Sequence, residues 1–292
     1  MPPPKHPTED TRLEKIRRTA IVALFSDDVL YEKLVLKGGN ALNLVHRIGF
    51  RSSVDIDVSI EDDFEDLDEA RTRLFSALER TFEEEGLRVF DQKLEPRPRR
   101  GSEDPRWGGY ELQFKVIALE LADSLGDSPE AMRRQAEVIA PGQKRNFKID
   151  FSKHEHCDGK VEFELDDFSI FVYSLEMIAL EKVRAICQQM DAYTQTKKLG
   201  GRPRPRDFYD LVAIHRQHRL DFGNEENLAL ARSIFEAKDV PLELVARIRE
   251  QRDFHRTGWD SVALTAGELL GDFDTYFDAV VELVEPLYSP LG

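Results

Sequence analysis

From Ser53 to Ile60 the chain alternates without a break. Val54, Ile56, Val58 and Ile60 fall on one face, and Ser53, Asp55, Asp57 and Ser59 on the other. A period of two over that length dictates a half-buried strand, because successive side chains of a strand leave opposite faces. Asp55 and Asp57 stand at i,i+2, so both carboxylates leave the same side. Two such charges repel each other unless water solvates them or a divalent cation bridges them. Mg²⁺ suits the second case, since it takes few carboxylates and completes its shell with waters and substrate phosphates. Two acids on a solvated strand face are the plain alternative.

The residues upstream weigh toward the cation. Leu34, Val35 and Leu36 form a short apolar run that ends at Gly38-Gly39. Residues 40–48 return to helical spacing, with Asn40 available as a cap and Gly49 as the stop. Glycines between a strand and a helix let the backbone approach a phosphate, and a helix start presents free N–H groups. Gly38, Gly39, Asn40, Arg51, Ser52 and Ser53 are therefore candidate nucleotide contacts, a guanidinium and hydroxyls being suited to a triphosphate tail. A tight turn explains the glycine pair equally well. The dinucleotide fingerprint Gly-x-Gly-x-x-Gly is absent, and so is the P-loop, because Lys37 precedes the glycines.

A two-metal site wants a third carboxylate to orient or deprotonate an attacking hydroxyl. Asp150, in the segment NFKIDFS, shares a strand face with Lys148, opposite Phe147, Ile149 and Phe151. It is the first candidate, and Glu164 and Asp166 are weaker rivals. The other segments up to residue 172 read as a helix over 11–32, a helix over 66–86, strands at 87–92, 110–119 and 144–152, and a helix over 128–139. Two short extended runs, VEFELDDF and SIFVYS, follow. The stretch PRPRRGSEDPRWGG (96–109) reads as a loop or wide hairpin connection.

After residue 172 helical spacing takes over, at 174–190, 206–219, 224–238, 241–254 and 272–287. Two domains are expected, a mixed α/β part over 1–172 and a helical part over 173–292. Lys182 lies inside the apolar series Leu175, Ile178, Ala179, Val183, Ile186. Asp207 and Asp210 share one helix face in RPRDFYDL, with Arg206 beside the first. Lys182 and Asp207 can serve a phosphate site, or they can be an ion pair tying two helices together. Asp207 can also be an acid favoured by the helix dipole. His215 and His218, His154 and His156, and the two cysteines Cys157 and Cys187 lack convincing metal-ligand spacing.

The formal net charge is −15. That opposes wholesale binding of nucleic acid but leaves room for a local basic groove. The basic stretches EPRPRRG (95–101) and KKLGGRPRPRD (197–207) are where such a groove would form. No apolar run approaches the ~18 residues of a membrane span, and the first residues lack the apolar core of a secretory signal. A cytoplasmic protein without a membrane partner is expected.

In order along the chain, KGGNALNLVHRIGFRSSVDIDV, EMIALEKVRAI and RPRDFYDL resemble the AbiEii/AbiGii toxin family of nucleotidyltransferases, which includes the MenT toxins. The family has a Gly-Gly-Thr-Ala-Leu stretch, an Arg-x-Ser, an Asp-x-Asp, a helix carrying a Lys, and an Arg-Asp-x-x-Asp. The likeness runs over residues 34–215. It implies an α+β fold, a DNA polymerase β-like nucleotidyltransferase core of mixed sheet flanked by helices, followed by a helical domain. It also implies that Gly38 and Ser52 or Ser53 contact the nucleotide phosphates. Asp55 and Asp57 would hold Mg²⁺ (or Mn²⁺), Lys182 would bind phosphate and Asp207 would complete the site. Asp150 falls where such enzymes often keep a third carboxylate.

Family members are toxins of toxin–antitoxin or phage-abortive systems, and some add nucleotides to the tRNA acceptor end and stop translation. What is expected, then, is a metal-dependent transfer from an NTP to tRNA or another RNA, with a cognate antitoxin as partner. Nucleotidylation of a protein hydroxyl and a non-catalytic partner-binding protein are the alternatives. This chain departs from the family in having Asn40 for the usual Thr, a charged insert at 95–109 and a helical excursion at 120–143.

Overall fold

The computed structural model describes residues 7–48, 55–99, 107–126, 128–139, 144–197, 200–266 and 270–288. The chain divides into two compact units. The first comprises Met1–Asn40, Ser52–Cys157 and Val161–Val172, and the second Ala41–Arg51, Asp158–Lys160 and Tyr173–Gly292.

The first unit begins with helices α1 (Pro7–Phe25) and α2 (Asp28–Lys33). The spacing predicts one helix here, but Asp27 breaks it. Its backbone is extended and its carboxylate accepts the N–H groups of Val29 and Leu30, so the side chain starts a new helix rather than continuing the old one. Strand β1 (Leu34–Lys37) then runs into a helical turn, α3 (Gly38–Asn40). The turn opens two residues earlier than the spacing predicts, which puts Asn40 inside it instead of at its cap. After β2 (Ile56–Ile60) comes α4 (Leu67–Glu84), capped by the Asp66 carboxylate on Asp68 and Glu69 N–H. It buries Ala70, Leu74, Ala77, Leu78 and Phe82 at helical spacing.

Strands β3 (Leu87–Arg97) and β4 (Gly109–Ala118) form a long antiparallel pair. The stretch expected as a loop or wide hairpin connection does join an antiparallel pair, but its first residues, Pro96 and Arg97, are still strand. The pairing of Lys93 to Arg97 with Gln113 to Gly109 carries it, and Pro96 is tolerated because β3 is an edge strand. The helix expected at 128–139 is present in shorter form as α6 (Pro129–Gln135), and another short helix, α5 (Leu119–Leu125), precedes it. They lead to β5 (Phe147–Ser152), β6 (Val161–Leu165) and β7 (Phe168–Val172).

These strands make a mixed sheet in the order β3-β4-β5-β2-β1-β7-β6. β2 runs parallel to β5 and β1 parallel to β7, while β1 and β2 are antiparallel. One face is the core. Phe114 of β4 stacks on Phe147 of β5 at 5.5 Å and meets Phe82 of α4 edge-on at 5.8 Å. Burying each such ring contributes about 1.5–3 kcal/mol. Alternation sends Lys37, Asp57, Asp150 and Glu111 to the other face.

The second unit opens with a π-helical turn, Ala41–Val45. It continues with α7 (Leu175–Cys187), α8 (Asp191–Lys197), α9 (Pro205–His218) and α10 (Glu225–Glu236), then a 3-10 helix (Leu242–Gln251), α11 (Arg252–Arg256), α12 (Trp259–Ala266) and α13 (Phe273–Val284). Ser174, Asn224 and Asp272 cap α7, α10 and α13 through their side chains. Phe208 of α9 centres an aromatic cluster, stacked on Phe277 and edge-on to Phe273, both at 5.3 Å. No helix among the described residues is long and apolar enough to cross a membrane.

Gly109 lets β4 lie close to β5, for a Cβ there would sit 1.7 Å from the Phe151 carbonyl oxygen. Gly109→Ala should therefore lower unfolding stability by at least about 2 kcal/mol. Gly200→Ala, which would meet nothing within 4 Å, should stay within about 0.5 kcal/mol. Urea midpoints compare the two, and equal midpoints would contradict the close strand approach.

Candidate active site

Strand register sets four acids in a row. Asp57 of β2 is paired with Lys37 of β1 on one side and with Asp150 of β5 on the other. Asp150 is paired in turn with Glu111 of β4, and Glu111 with Glu95 of β3. Neighbouring strands lie about 4.8 Å apart, so directly paired residues share a face.

Cations gather on Glu111 and Glu95. Arg97, Gln113 and Lys148 all donate to the Glu111 carboxylate, Lys148 at 3.0 Å. Arg97 and Arg99 also reach Glu95, at 3.3 and 3.1 Å. Burial pushes the Glu111 carboxyl up, but these donors more than offset it and hold the group below its ordinary range. Asp150 behaves in the opposite way. Burial raises its proton affinity, and the charges of Glu111 and Asp55 raise it further against the pull of Lys148 and Arg97. No hydrogen bond from a described residue offsets this.

Gly38 shapes the other side of Asp57. Its φ is +70°, and a Cβ on it would lie 2.3 Å from Asp57 Oδ2. The first glycine of the pair therefore supplies both a left-handed turn and the space the carboxylate occupies. Gly39 lies in the same turn. Asn40 Nδ2 donates to the Asp55 backbone oxygen at 2.7 Å, so the side chain ties the turn to the start of β2. Asp55 itself is exposed at the bend before the strand. Arg51, Ser52 and Ser53 lie outside the described residues. The rivals to Asp150 are elsewhere: Glu164 is exposed on the edge strand β6, and Asp166 in the β6–β7 turn is held by Arg18.

Carboxylate oxygens are the donors that Mg²⁺ or Mn²⁺ prefers. Crowding that raises the proton affinity of Asp150 is the strain a bound cation offsets. The donor set therefore fits a hard divalent cation. Among the described residues, however, no three Asp, Glu, His or Cys side chains already converge on one point. His215 and His218 are exposed in the last turn of α9.

The helical unit holds a second polar cluster. Lys182 Nζ of α7 lies 3.1 Å from Asp207 Oδ1 and 2.5 Å from Asp210 Oδ2, both on α9. Arg204 Nε donates to the second Asp207 oxygen. Burial opposes the charge on Lys182, but Asp210 and Asp207 more than restore it and raise its affinity for the proton. Burial also works against the Asp207 carboxylate, and Arg204 and Lys182 overcome it, holding the carboxyl down to about 2. Arg206, singled out beside Asp207, points to exposed surface instead. The arginine that grips the acid is Arg204, three residues earlier, in the turn that enters α9.

Sequence spacing also misses His255. Its imidazole is fully buried, and Nδ1 accepts the Arg204 backbone N–H at 3.1 Å. Burial, against the pull of Asp207, lowers its pKa from the ordinary 6.5 to about 4. A single histidine in a basic, polar stretch gives no periodic signal for this.

A family model described as "Nucleotidyl transferase AbiEii toxin, Type IV TA system" matches residues 19–280. Among solved structures, JHP933 from Helicobacter pylori is similar with a TM-score of 0.52 at 13% identity, covering 97% of this chain and 94% of that one. MenT4, a nucleotidyltransferase toxin from Mycobacterium tuberculosis H37Rv, is similar with a TM-score of 0.53 at 17% identity, covering 96% and 84%. At these identities the likeness concerns the fold. No curated protein matches the chain.

Two outcomes follow from the helical cluster. Lys182→Met leaves buried Asp207 with one partner fewer and should cost about 3 kcal/mol of stability, with K182M/D207N recovering part of it. Urea unfolding at wild-type stability for K182M would show the pair to be solvated. His255 binds its proton more weakly folded than unfolded. Stability should therefore fall as pH drops from 6.5 towards 4, by up to about 3 kcal/mol, and His255→Asn should flatten that limb. An unchanged slope in the variant would assign the acid loss to other groups.

Proposed function

The chain belongs to the AbiEii family of nucleotidyl transferase toxins. On that premise we propose that it transfers a nucleotidyl group from an NTP to an RNA, the tRNA acceptor end foremost, and so blocks translation. The observation that carries this is the Asp57–Asp150 pair, set side by side by β2 and β5 with Gly38 against Asp57. Asp55, Asp57 and Asp150 are the ligands proposed for Mg²⁺ or Mn²⁺. When bound, the cation would neutralise charge developing on the triphosphate.

The chain's own groups then have distinct tasks. Gly38, Gly39 and Asn40 shape the turn beside the carboxylates, and Arg51, Ser52 and Ser53 are assigned to the phosphates. The acceptor hydroxyl oxygen bonds to the α-phosphorus, the α–β bridging bond breaks, and pyrophosphate leaves. Asp150, whose proton affinity is raised, takes or orients the proton of that hydroxyl. Lys182 and Asp207 of the helical unit are assigned to the same reaction on the strength of the family motif alone. A cytoplasmic site of action and a cognate antitoxin accord with the family's type IV toxin–antitoxin description.

Transfer to a protein hydroxyl is the second reading. The net charge of −15 favours it, since an acidic body repels an RNA backbone. A partner-binding protein without catalysis is disfavoured, because both Asp55 and Asp57 are present.

Each of the four labelled NTPs, incubated with cell extract and either Mg²⁺ or Mn²⁺, separates these readings. Label on tRNA is expected; label on protein would move the acceptor to a side chain; no transfer from any NTP would overturn both. Asp57→Asn and Asp150→Asn should each lower transfer by about 100-fold or more while leaving the unfolding midpoint near that of the wild type.

A further inference from the structure

His255 does something that packing alone does not require. It lies in α11 with none of its surface exposed, its ring 5.2 Å from Phe208 and 4.9 Å from Phe254. Nδ1 accepts the Arg204 N–H, so the neutral ring carries its proton on Nε2. That Nε2 is buried and finds no partner among the described residues. An unmet buried donor costs about 1–3 kcal/mol. A phenyl ring would fill the same aromatic pocket without that cost. What imidazole adds is the acceptor at Nδ1.

The acceptor works at the entry to α9. Arg204 precedes α9, no side chain among the described residues caps that end, and Pro205 brings no N–H of its own. Arg204 is nonetheless bonded through both its backbone and its side chain. Its N–H goes to His255, its carbonyl accepts the Asp207 N–H at 3.1 Å, and its guanidinium grips the Asp207 carboxylate. Asp207 in turn holds Lys182 at 3.1 Å. The chain of bonds therefore runs from α11 through the α9 entry turn to α7. A second tether of this turn, Arg202 N–H to Gln189 Oε1 at 2.9 Å, lies two residues upstream.

We infer that His255 is a positioning residue for nucleotidyl transfer, fixing Arg204 so that Asp207 and Lys182 keep their geometry. This rests on the assignment of Lys182 and Asp207 to the reaction. His255 itself touches no reacting atom.

The test compares His255→Asn with His255→Gln in the full chain. Asn presents its side-chain oxygen where Nδ1 lies, whereas Gln carries its own farther out, towards Nε2. H255Q should lower kcat about tenfold or more, with Arg204 amide-exchange protection lost and the fold intact by thermal unfolding. H255N should recover both readouts. A folded H255N with H255Q unable to fold would equally support the need for the acceptor. Three results would overturn the inference: the two variants behaving alike, H255Q losing Arg204 protection at unchanged kcat, or neither variant folding. Should D207N transfer at the wild-type rate, or the wild type transfer nothing, the assignment of the helical cluster fails. Arg204 exchange in H255Q and H255N still decides whether His255 holds the turn.

Discussion

The parallel register of β2 and β5 is the constraint on which the first unit depends. It sets Asp57 beside Asp150 and joins the β1–β2 pair to the β3–β4 hairpin. A slip of one residue would turn Ile56 and Val58 out of the core and Asp57 into it. Burial of Ile56 and Val58 beside their register partners Ile149 and Phe151 opposes that slip. The carboxylate row is held together by the burial beneath it. Its members gain nothing from each other, as the raised proton affinity of Asp150 shows.

Charge along the row is compensated unevenly, and that unevenness gives the face its chemical character. Glu111 and Glu95 are saturated by arginine and lysine, which makes them structural. Asp150 lies one strand nearer the glycine turn and keeps its repulsion. A similar division holds in the helical unit. There Lys182, Asp207 and Arg204 satisfy one another while anchored to a core of Phe208, Phe273 and Phe277. The polar cluster is ordered because the aromatic cluster fixes α9, and the imidazole of His255 belongs to both.

Much of the fold was legible along the chain. Alternation located β2 and β5, helical spacing located α4, α7 and α9, and the order of motifs pointed to the family that the comparison then showed. What escaped was decided by local competition or by partners far away in sequence. Asp27 split α1 from α2 because its carboxylate satisfied a new helix start. β3 ran on through Pro96 because β4 offered a partner across the gap. The stretch expected as a helix over 241–254 keeps Leu244, Val245 and Ile248 buried but winds largely as 3-10 helix. That apolar spacing serves either winding, so periodicity does not separate them.

For the candidate site the division is similar. Residue type and spacing singled out Asp55, Asp57, Asp150, Lys182 and Asp207, because carboxylates at i,i+2 and ionisable groups within apolar helices stand out against their neighbours. Spacing alone also determined which strand face Asp57 and Asp150 occupy, whereas Asp55, expected on the same strand, lies at the bend before β2. Tertiary structure decided their partners: that Asp150 pairs with Asp57, that Arg97 and Lys148 quench Glu111, that Arg204 and not Arg206 grips Asp207, and that His255 holds Arg204. The physical reason is range. A side chain's face follows from the few residues around it, whereas its charge state and hydrogen bonds follow from groups brought near by strand register and helix packing, 51 residues away in the case of Arg204 and His255.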